Sequence, residues 1–195
     1  ESLEKLEGDI EIIVADFNSD DTDYAWFKHK LVKVDDEFFS VGRGKNVAAD
    51  NATGDILFFV DADLIVPQIV IDRAIVLVES GKVYAPIMRM QNEDGSLGEW
   101  AVHSFGQVAV SKEEFDTGKR WEEWTSYGGE DNLFVYLYGE LRIVRSKPRY
   151  FIHQWHPHEL REKYSETKAY TDLDKFRKIW DMRKKIGKKL IGGSK

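Results

Sequence analysis

Residues 54–64, Gly-Asp-Ile-Leu-Phe-Phe-Val-Asp-Ala-Asp-Leu, are the stretch of this chain that decides its fold. The apolar run, residues 56–60, is typical of a buried β-strand, and two carboxylates, Asp61 and Asp63, follow it directly. In an open α/β sheet, ligands bind beyond the carboxyl ends of the strands. Two acids at that edge repel each other unless a cation or a proton lies between them, and a divalent cation that bridges to substrate phosphates is the simplest resolution. The alternative is a strand that ends in a solvated turn, with Asp63 capping the segment that follows.

The composition predicts one globular domain. Of the 195 residues, 42% are hydrophobic and 32% are charged, which is enough apolar material for a core. The net charge of −7 argues against general nucleic-acid binding. Because the chain has no cysteine, disulfides, thiolate zinc sites and a cysteine nucleophile are excluded, and a reducing, cytoplasmic compartment is favoured. No apolar run approaches the ~18 residues that a membrane span needs.

Predicted strands and helices alternate along the chain, which indicates an α/β sandwich. Strands are predicted over residues 10–15, 31–34, 56–60, 83–90, 100–110, 141–144 and 150–153. Helices are predicted near residues 22–29 and over residues 46–51, 67–79, 112–115 and 130–138, with a Gly-rich loop over residues 41–45. The expected architecture is a mixed, mostly parallel central sheet with helices on both faces.

Asp16 ends the first predicted strand in the same way as Asp61 ends the central one. Because the ends of parallel strands meet at one edge of a sheet, both carboxylates are expected in one crevice. A carboxylate there suits hydrogen bonding to a base N–H or a sugar hydroxyl. The alternative for Asp16 is a side chain that only forms the turn.

A second group of candidates comprises Arg43, Lys45 and Asn46, which alternate with Gly42 and Gly44. Glycines let the backbone approach a phosphate, and the cations would neutralise its charge. The group is therefore a candidate phosphate-binding loop. The alternative is an ordinary exposed basic loop.

The segment Tyr-Gly-Gly-Glu-Asp-Asn, residues 127–132, places Glu130 and Asp131 at the start of a predicted helix. The helix dipole favours anions there, so an ordinary helix start is one interpretation. The paired glycines, which include Gly129, would let the backbone come close to a ligand that the acids then face. One carboxylate could act as a general base on an acceptor hydroxyl while its neighbour binds that acceptor. Trp121 and Trp124, just upstream, could stack on a sugar ring, unless they are partly buried structure.

Three of the five histidines lie in residues 153–158, His-Gln-Trp-His-Pro-His. Imidazole is a good ligand for a transition-type divalent ion. His153 ends a predicted strand and is the best placed of the three. His156 and His158 are expected to be surface histidines, although which of the three binds a metal stays open.

Taken in order, these motifs resemble those of family-2-type glycosyltransferases of the GT-A fold, over residues 10–160. Val-Ala-Asp-Phe-Asn-Ser-Asp-Asp, residues 14–21, resembles the nucleotide motif of the family's second strand. Gly-Lys-Asn-Val-Ala-Ala-Asp-Asn-Ala-Thr-Gly-Asp-Ile-Leu-Phe-Phe-Val-Asp-Ala-Asp, residues 44–63, resembles its approach to the Asp-x-Asp metal motif. Tyr-Gly-Gly-Glu-Asp-Asn followed by His-Gln resembles the galactosyltransferase and chondroitin-polymerase branch.

The resemblance implies a metal-dependent, inverting transfer of a sugar from a UDP-sugar to an acceptor hydroxyl in polysaccharide or glycoconjugate synthesis. Asp61 and Asp63 would hold Mn²⁺ or Mg²⁺ against the UDP diphosphate, with His153 as a further ligand. Asp131 would be the catalytic base, and Glu130 would help to bind the carbohydrate acceptor. The remaining expected contacts with the nucleotide sugar come from Asp16, Arg43, Lys45, Asn46, Trp124 and Gly129.

The transferase domain is expected over residues 1–171. Such enzymes open with an apolar strand that cradles the uracil, and that first strand is expected to be missing from this sequence. Two other functions stay open. One is a non-catalytic sugar- or nucleotide-binding module on the same fold, since fold does not fix function. The other is a two-carboxylate glycoside hydrolase, which would leave the Asp-x-Asp pair and the histidines unexplained.

Residues 172–195 are predicted to form a basic amphipathic helix. Residues 175–195 have nine Lys or Arg and one Asp, and apolar residues such as Phe176, Ile179 and Trp180 recur at near-helical spacing. Such a helix can lie on an anionic membrane, which predicts a peripheral contact with the inner face of the membrane. The alternative is a helix packed on the acidic body of the protein.

Overall fold

The computed structural model describes residues 2–17, 19, 27–36, 39–123 and 129–157. Its strands are β1 (Ile13–Asp16), β2 (Lys30–Lys33), β3 (Ile56–Phe59), β4 (Leu64–Ile65), β5 (Val83–Tyr84), β6 (Arg89–Gln91), β7 (Leu97–Trp100), β8 (Val108–Ser111), β9 (Ile143–Val144) and β10 (Ile152–His153). Its helices are α1 (Val41–Asp50), α2 (Gln68–Glu79), α3 (Lys112–Asp116) and α4 (Glu130–Tyr138), with short 3₁₀ turns at Leu3–Lys5 and Glu140–Arg142.

The predicted α/β class is confirmed, and the sheets are mixed. β1 and β2 form a parallel pair, while the other strands are ordered β4-β10-β6-β7 and β3-β8-β5-β9. β8 runs antiparallel to both of its neighbours, β3 and β5, whereas β5 pairs in parallel with β9. The sheet around β3 is therefore less parallel than the sequence predicts, because β8 returns through its middle in the opposite direction.

β3 lies between two apolar clusters, one on each face. Leu57 and Phe59 pack into a cluster with α4 and Trp121, where the Trp121 and Phe134 rings stack with centroids 4.0 Å apart. Ile56, Phe58 and Val60 point to the other face and pack against α2 residues that include Val70. Burial on both faces explains the unbroken apolar run of this strand, and helices do cover both faces.

The Gly-rich segment is helical, so the predicted loop over residues 41–45 is wrong. α1 already begins at Val41, and the Oγ of Ser40 caps it by accepting a hydrogen bond from the Arg43 N–H at 3.2 Å. A Cβ on Gly42 would lie 1.9 Å from the carbonyl oxygen of Glu122. The glycine is therefore required by the close approach of another part of the chain, not by a phosphate.

Two predicted strands are interrupted. The strand predicted over residues 83–90 stops after Tyr84 and resumes at Arg89, and Pro86, which has no N–H to donate to a ladder, lies in the break. The strand predicted over residues 100–110 is divided into β7 and β8 by a loop, residues 101–107. The alternating apolar residues predicted one continuous strand because a sequence pattern reflects only local preference. The contacts that bend residues 101–107 out of the strand come from segments that are distant in sequence.

Other boundaries agree within a few residues, although Glu140–Arg142 is a 3₁₀ turn where a strand was predicted to begin. Residues 27–29 are not helical, and residues 22–26 of the same predicted helix lie outside the described residues. The predicted basic tail, residues 172–195, also lies outside them. Within the described part, no helix has the length and apolar character needed to cross a membrane.

We expect Gly42→Ala to destabilise the protein, although alanine is by itself the better helix former. The added methyl group would overlap the backbone of residue 122, and such overpacking typically costs about 1–3 kcal/mol, which exceeds the gain in helix propensity of ~1 kcal/mol. Urea unfolding gives the free energy. Gly54→Ala is the control, because the nearest atom to a Cβ there is 3.9 Å away. An unchanged midpoint for Gly42→Ala would contradict the packing argument.

Candidate functional site

One cavity of about 1480 Å³ runs along β1 and β3 and is lined by most of the candidate residues. These residues belong to separate elements: α1, the segments at the ends of β3 and β10, and the first turn of α4. The candidates that line the cavity are Lys45, Asp61, Asp63, Glu130, Asp131, His153 and His156. β1 and β3 do not pair with each other, so the two strand ends predicted to share one sheet edge instead flank one cavity.

The clearest cluster in the cavity consists of Asp63, His153 and His156. The Oδ2 of Asp63 lies 3.1 Å from His153 Nε2 and 3.2 Å from His156 Nε2. Backbone pairing brings them together, because β10 runs beside β4 and the Gln154 N–H donates to the Asp63 carbonyl at 2.9 Å. The sequence indicated His153 but left His156 as a surface residue; the third histidine, His158, lies outside the described residues.

The electrostatics of Asp63 fit a cation site. Burial pushes its pKa up, but the hydrogen bond from His153 and the positive charge of His153 and His156 outweigh burial and leave the pKa lowered. Its second oxygen, Oδ1, is buried and accepts no hydrogen bond from the described residues. The three ligand atoms that these residues offer lie within 4.8 Å of one another. Two imidazoles and a carboxylate oxygen form a donor set that suits a divalent transition ion.

Asp61 is not part of that cluster. Lys45 Nζ lies 3.1 Å from its Oδ1, and the Gln107 amide donates to its Oδ2 at 2.5 Å. Lys45 also donates to the Gly106 carbonyl at 2.8 Å. Both oxygens of Asp61 therefore have protein partners, and its role as a metal ligand stays a prediction. Gln107, only 1% exposed, was missed because a single glutamine in an apolar stretch carries no local signal.

Asp131 is held in a defined orientation at the start of α4. Its Oδ2 accepts a hydrogen bond from the Phe105 N–H at 3.0 Å. Its Oδ1 accepts from the backbone and side-chain amides of Asn132 at 2.8 and 2.6 Å. Gly129 precedes the helix with a φ of 95°, a conformation that glycine adopts without strain. This turn brings Glu130 and Asp131 to the cavity together.

Asp16 and Arg43 do not line the cavity. Asp16 is 4% exposed and accepts from the Ser19 hydroxyl at 2.6 Å, and it forms an ion pair with Lys33. The Arg43 guanidinium faces away, with its Nε 3.0 Å from an oxygen of Asp36. Both residues therefore have structural partners, and their contacts with a nucleotide remain predictions.

Asn46 is also absent from the lining and is buried. Its side-chain amide donates to the Trp121 carbonyl at 2.9 Å and to Glu123 at 2.8 Å, and it accepts from the Trp121 N–H at 3.1 Å. These bonds tie α1 to residues 121–123. Trp124 lies outside the described residues, so its predicted stacking on a sugar stays a prediction.

Solved structures share this architecture. The S. aureus TarS fragment 1–349 in complex with UDP-GlcNAc has a TM-score of 0.66 and 18% identity, covering 93% of this chain and 59% of that one. The same fragment in complex with UDP has a TM-score of 0.61 and 16% identity, covering 93% and 58%. At these identities the likeness shows the fold alone, and this chain spans less than two thirds of the TarS chains. No curated protein matches this sequence.

The sequence family is shown by a second comparison. The model of the family described as Glycosyl transferase family 2 matches residues 1–139, well over half of the chain. The matched region includes β3 with Asp61 and Asp63, the loop of residues 101–107, and the start of α4 with Asp131. The chain belongs to glycosyl transferase family 2.

Proposed function

We propose that this protein is a metal-dependent inverting glycosyltransferase that moves a sugar from a UDP-sugar to a hydroxyl of a carbohydrate acceptor, in polysaccharide or glycoconjugate synthesis. The supporting observation is that one cavity holds both the Asp63–His153–His156 cluster and the Asp131 carboxylate. Transfer from a nucleotide sugar needs both a positive charge for the leaving diphosphate and a base for the acceptor. A glycoside hydrolase would use two carboxylates and give the histidine cluster no role.

Mn²⁺ fits the metal site better than Mg²⁺. Mg²⁺ prefers oxygen ligands in a strict octahedron, whereas imidazole nitrogens suit transition ions. Asp63, His153 and His156 would hold the ion through one carboxylate oxygen and two imidazole nitrogens. When bound, the ion supplies a Lewis acid for the leaving UDP diphosphate.

Asp131 would take the proton from the acceptor hydroxyl as that oxygen attacks the anomeric carbon on the face opposite UDP. The hydrogen bond from the Phe105 N–H fixes Oδ2, which limits rotation of the carboxylate and so prepares it for the transfer. Glu130 lines the same cavity and would bind the acceptor. Lys45, which also lines the cavity, would place positive charge on the donor side.

We expect Asp63→Ala to abolish Mn²⁺-dependent binding of UDP, because the two imidazoles alone hold the ion weakly and the diphosphate charge is then uncompensated. Isothermal titration of UDP with and without Mn²⁺ measures this. Asp72→Ala, an exposed aspartate on α2, is the control and should bind as the wild type does. Unchanged Mn²⁺-dependent affinity in Asp63→Ala would rule out this metal site.

We expect His156→Gln to weaken Mn²⁺-dependent UDP binding by at least about 10- to 100-fold, which is the loss typical of an outer-shell partner, because His156 would be a direct ligand. The same titration applies, and His103→Gln is the control because His103 is exposed and outside the cluster. If His156→Gln binds UDP like the control, His156 does not hold the ion, and the ligand set returns to the Asp61, Asp63 and His153 of the sequence prediction.

We expect Asp131→Asn to lower transfer by a factor of ~10²–10⁴, since an amide keeps the shape of the base but cannot accept the proton. The assay is UDP release with Mn²⁺, first from UDP-GlcNAc because the TarS structure holds it. A panel of UDP-GalNAc, UDP-glucose, UDP-galactose and UDP-glucuronate follows, with water or an added oligosaccharide as acceptor. UDP binding should persist. A rate near wild type in Asp131→Asn contradicts the role of Asp131, and UDP binding without turnover of any donor favours the non-catalytic module.

A further inference from the structure

Arg145 has an unusual environment for a cation. Its Nη1 donates to the Val102 carbonyl at 2.7 Å, its Nη2 to the Ser104 carbonyl at 2.6 Å, and its Nε to the Ala85 carbonyl at 3.1 Å. All three acceptors are neutral backbone groups. The side chain is partly buried, and no carboxylate within ion-pair distance among the described residues offsets the cost of removing its charge from water.

The Arg145 guanidinium also contacts the Phe105 ring and interacts electrostatically with the Asp131 carboxylate. Its carbon lies 4.0 Å from the centroid of the Phe105 ring, which is the geometry of a cation–π contact. Burial lowers the pKa of Arg145 to about 10, and the negative charge of Asp131 opposes that effect. Among the described residues no ion pair joins Arg145 and Asp131 directly, so any tight link between them runs through the backbone.

That backbone link is short. Arg145 holds the carbonyls of residues 102 and 104 and the ring of Phe105, and the Phe105 N–H then donates to the Asp131 Oδ2 at 3.0 Å. The next residue, Gly106, accepts from Lys45 at 2.8 Å. The segment that the guanidinium fixes is thus the one that orients the proposed base.

We propose that Arg145 is a positioning residue for the transfer reaction, which fixes residues 102–105 so that the Phe105 N–H holds the Asp131 carboxylate in its reactive orientation. This inference rests on the proposed function. The guanidinium is suited to the task because its planar fork reaches two carbonyls of the loop while its Nε bonds a third across the sheet. A lysine ammonium has all three of its N–H donors on one nitrogen, so it could not reach the three carbonyls that separate nitrogens of the guanidinium hold.

The test is a double-mutant cycle between Arg145→Met and Asp131→Asn, read as UDP release from the fastest donor of the panel. We expect Arg145→Met alone to lower the rate about 10- to 100-fold, as misplacement of a reacting group by about 1 Å does. In the Asp131→Asn background the same substitution should cost less than about twofold, because the residue acts through the carboxylate that is already disabled. Mn²⁺-dependent UDP binding should be unchanged in Arg145→Met and in Asp131→Asn.

Arg142→Met is the matched control. This substitution removes the same charge three positions earlier in the chain. The Arg142 side chain donates to the Gly81 carbonyl at 2.8 Å and forms an ion pair with Glu114 at 2.8 Å, and none of these residues lines the cavity. We expect it to keep the wild-type rate. Amide hydrogen exchange at Phe105 gives a second readout, which should accelerate in Arg145→Lys and stay unchanged in Arg142→Met. If Arg145→Met fails to fold, Arg145→Lys takes its place in the cycle.

The outcomes separate the inference from the function on which it rests. The positioning role of Arg145 is overturned if the two substitutions lower the rate of UDP release independently, so that their effects multiply in the double variant. It is also overturned if Arg145→Met has the same rate as Arg142→Met. In either case the role of Asp131 as the base is unaffected. A wild-type rate for Asp131→Asn, or no UDP release from any donor, instead refutes the proposed function, and the role of Arg145 falls with it.

Discussion

The entry of β8 between β3 and β5 is the constraint on which the rest of the site depends. Because β8 is antiparallel to β3, with Val108 opposite Phe59, the residues just before β8 must lie beside the residues just after β3. Gln107 therefore hydrogen bonds Asp61, and the loop of residues 101–107, which contributes to the lining of the cavity, reaches Asp131 through the Phe105 N–H. This pairing thus brings Asp61 and Asp131 to one cavity, whereas the pairing of β4 with β10 brings His153 beside Asp63.

Buried polar groups make this geometry specific. Gln107 and Asn132 are almost completely buried, and each hydrogen bonds a carboxylate of the cavity, Asp61 and Asp131 respectively. A buried polar group that loses its partner costs about 1–3 kcal/mol, so alternative placements of the loop are disfavoured. The apolar clusters on the two faces of β3 stabilise the fold by burial, but apolar packing alone would tolerate many side-chain arrangements. The hydrogen bonds of the Gln107 and Asn132 amides restrict the site to one of them.

Two groups of side chains that line the cavity differ in their chemistry. In the first, two imidazoles contact the Asp63 carboxylate and lower its pKa against the opposing effect of burial. In the second group, the Asp131 carboxylate at the start of α4 is held by the backbone N–H groups of Phe105 and Asn132. The proposed transfer from a nucleotide sugar requires both a group that can hold a cation and a separate carboxylate that can act as a base.

The sequence by itself determined the features that depend on local patterns. The apolar run before Asp61 predicted β3, and the glycines before Glu130 predicted the start of α4, since backbone preference and burial period act within one element. The tertiary structure alone decided that Gly42 belongs to a helix, because its reason is contact with a residue 80 positions away. It likewise decided that residues 101–107 leave the strand and that Arg145 holds them, because each such contact joins segments that only the pairing of distant strands brings together.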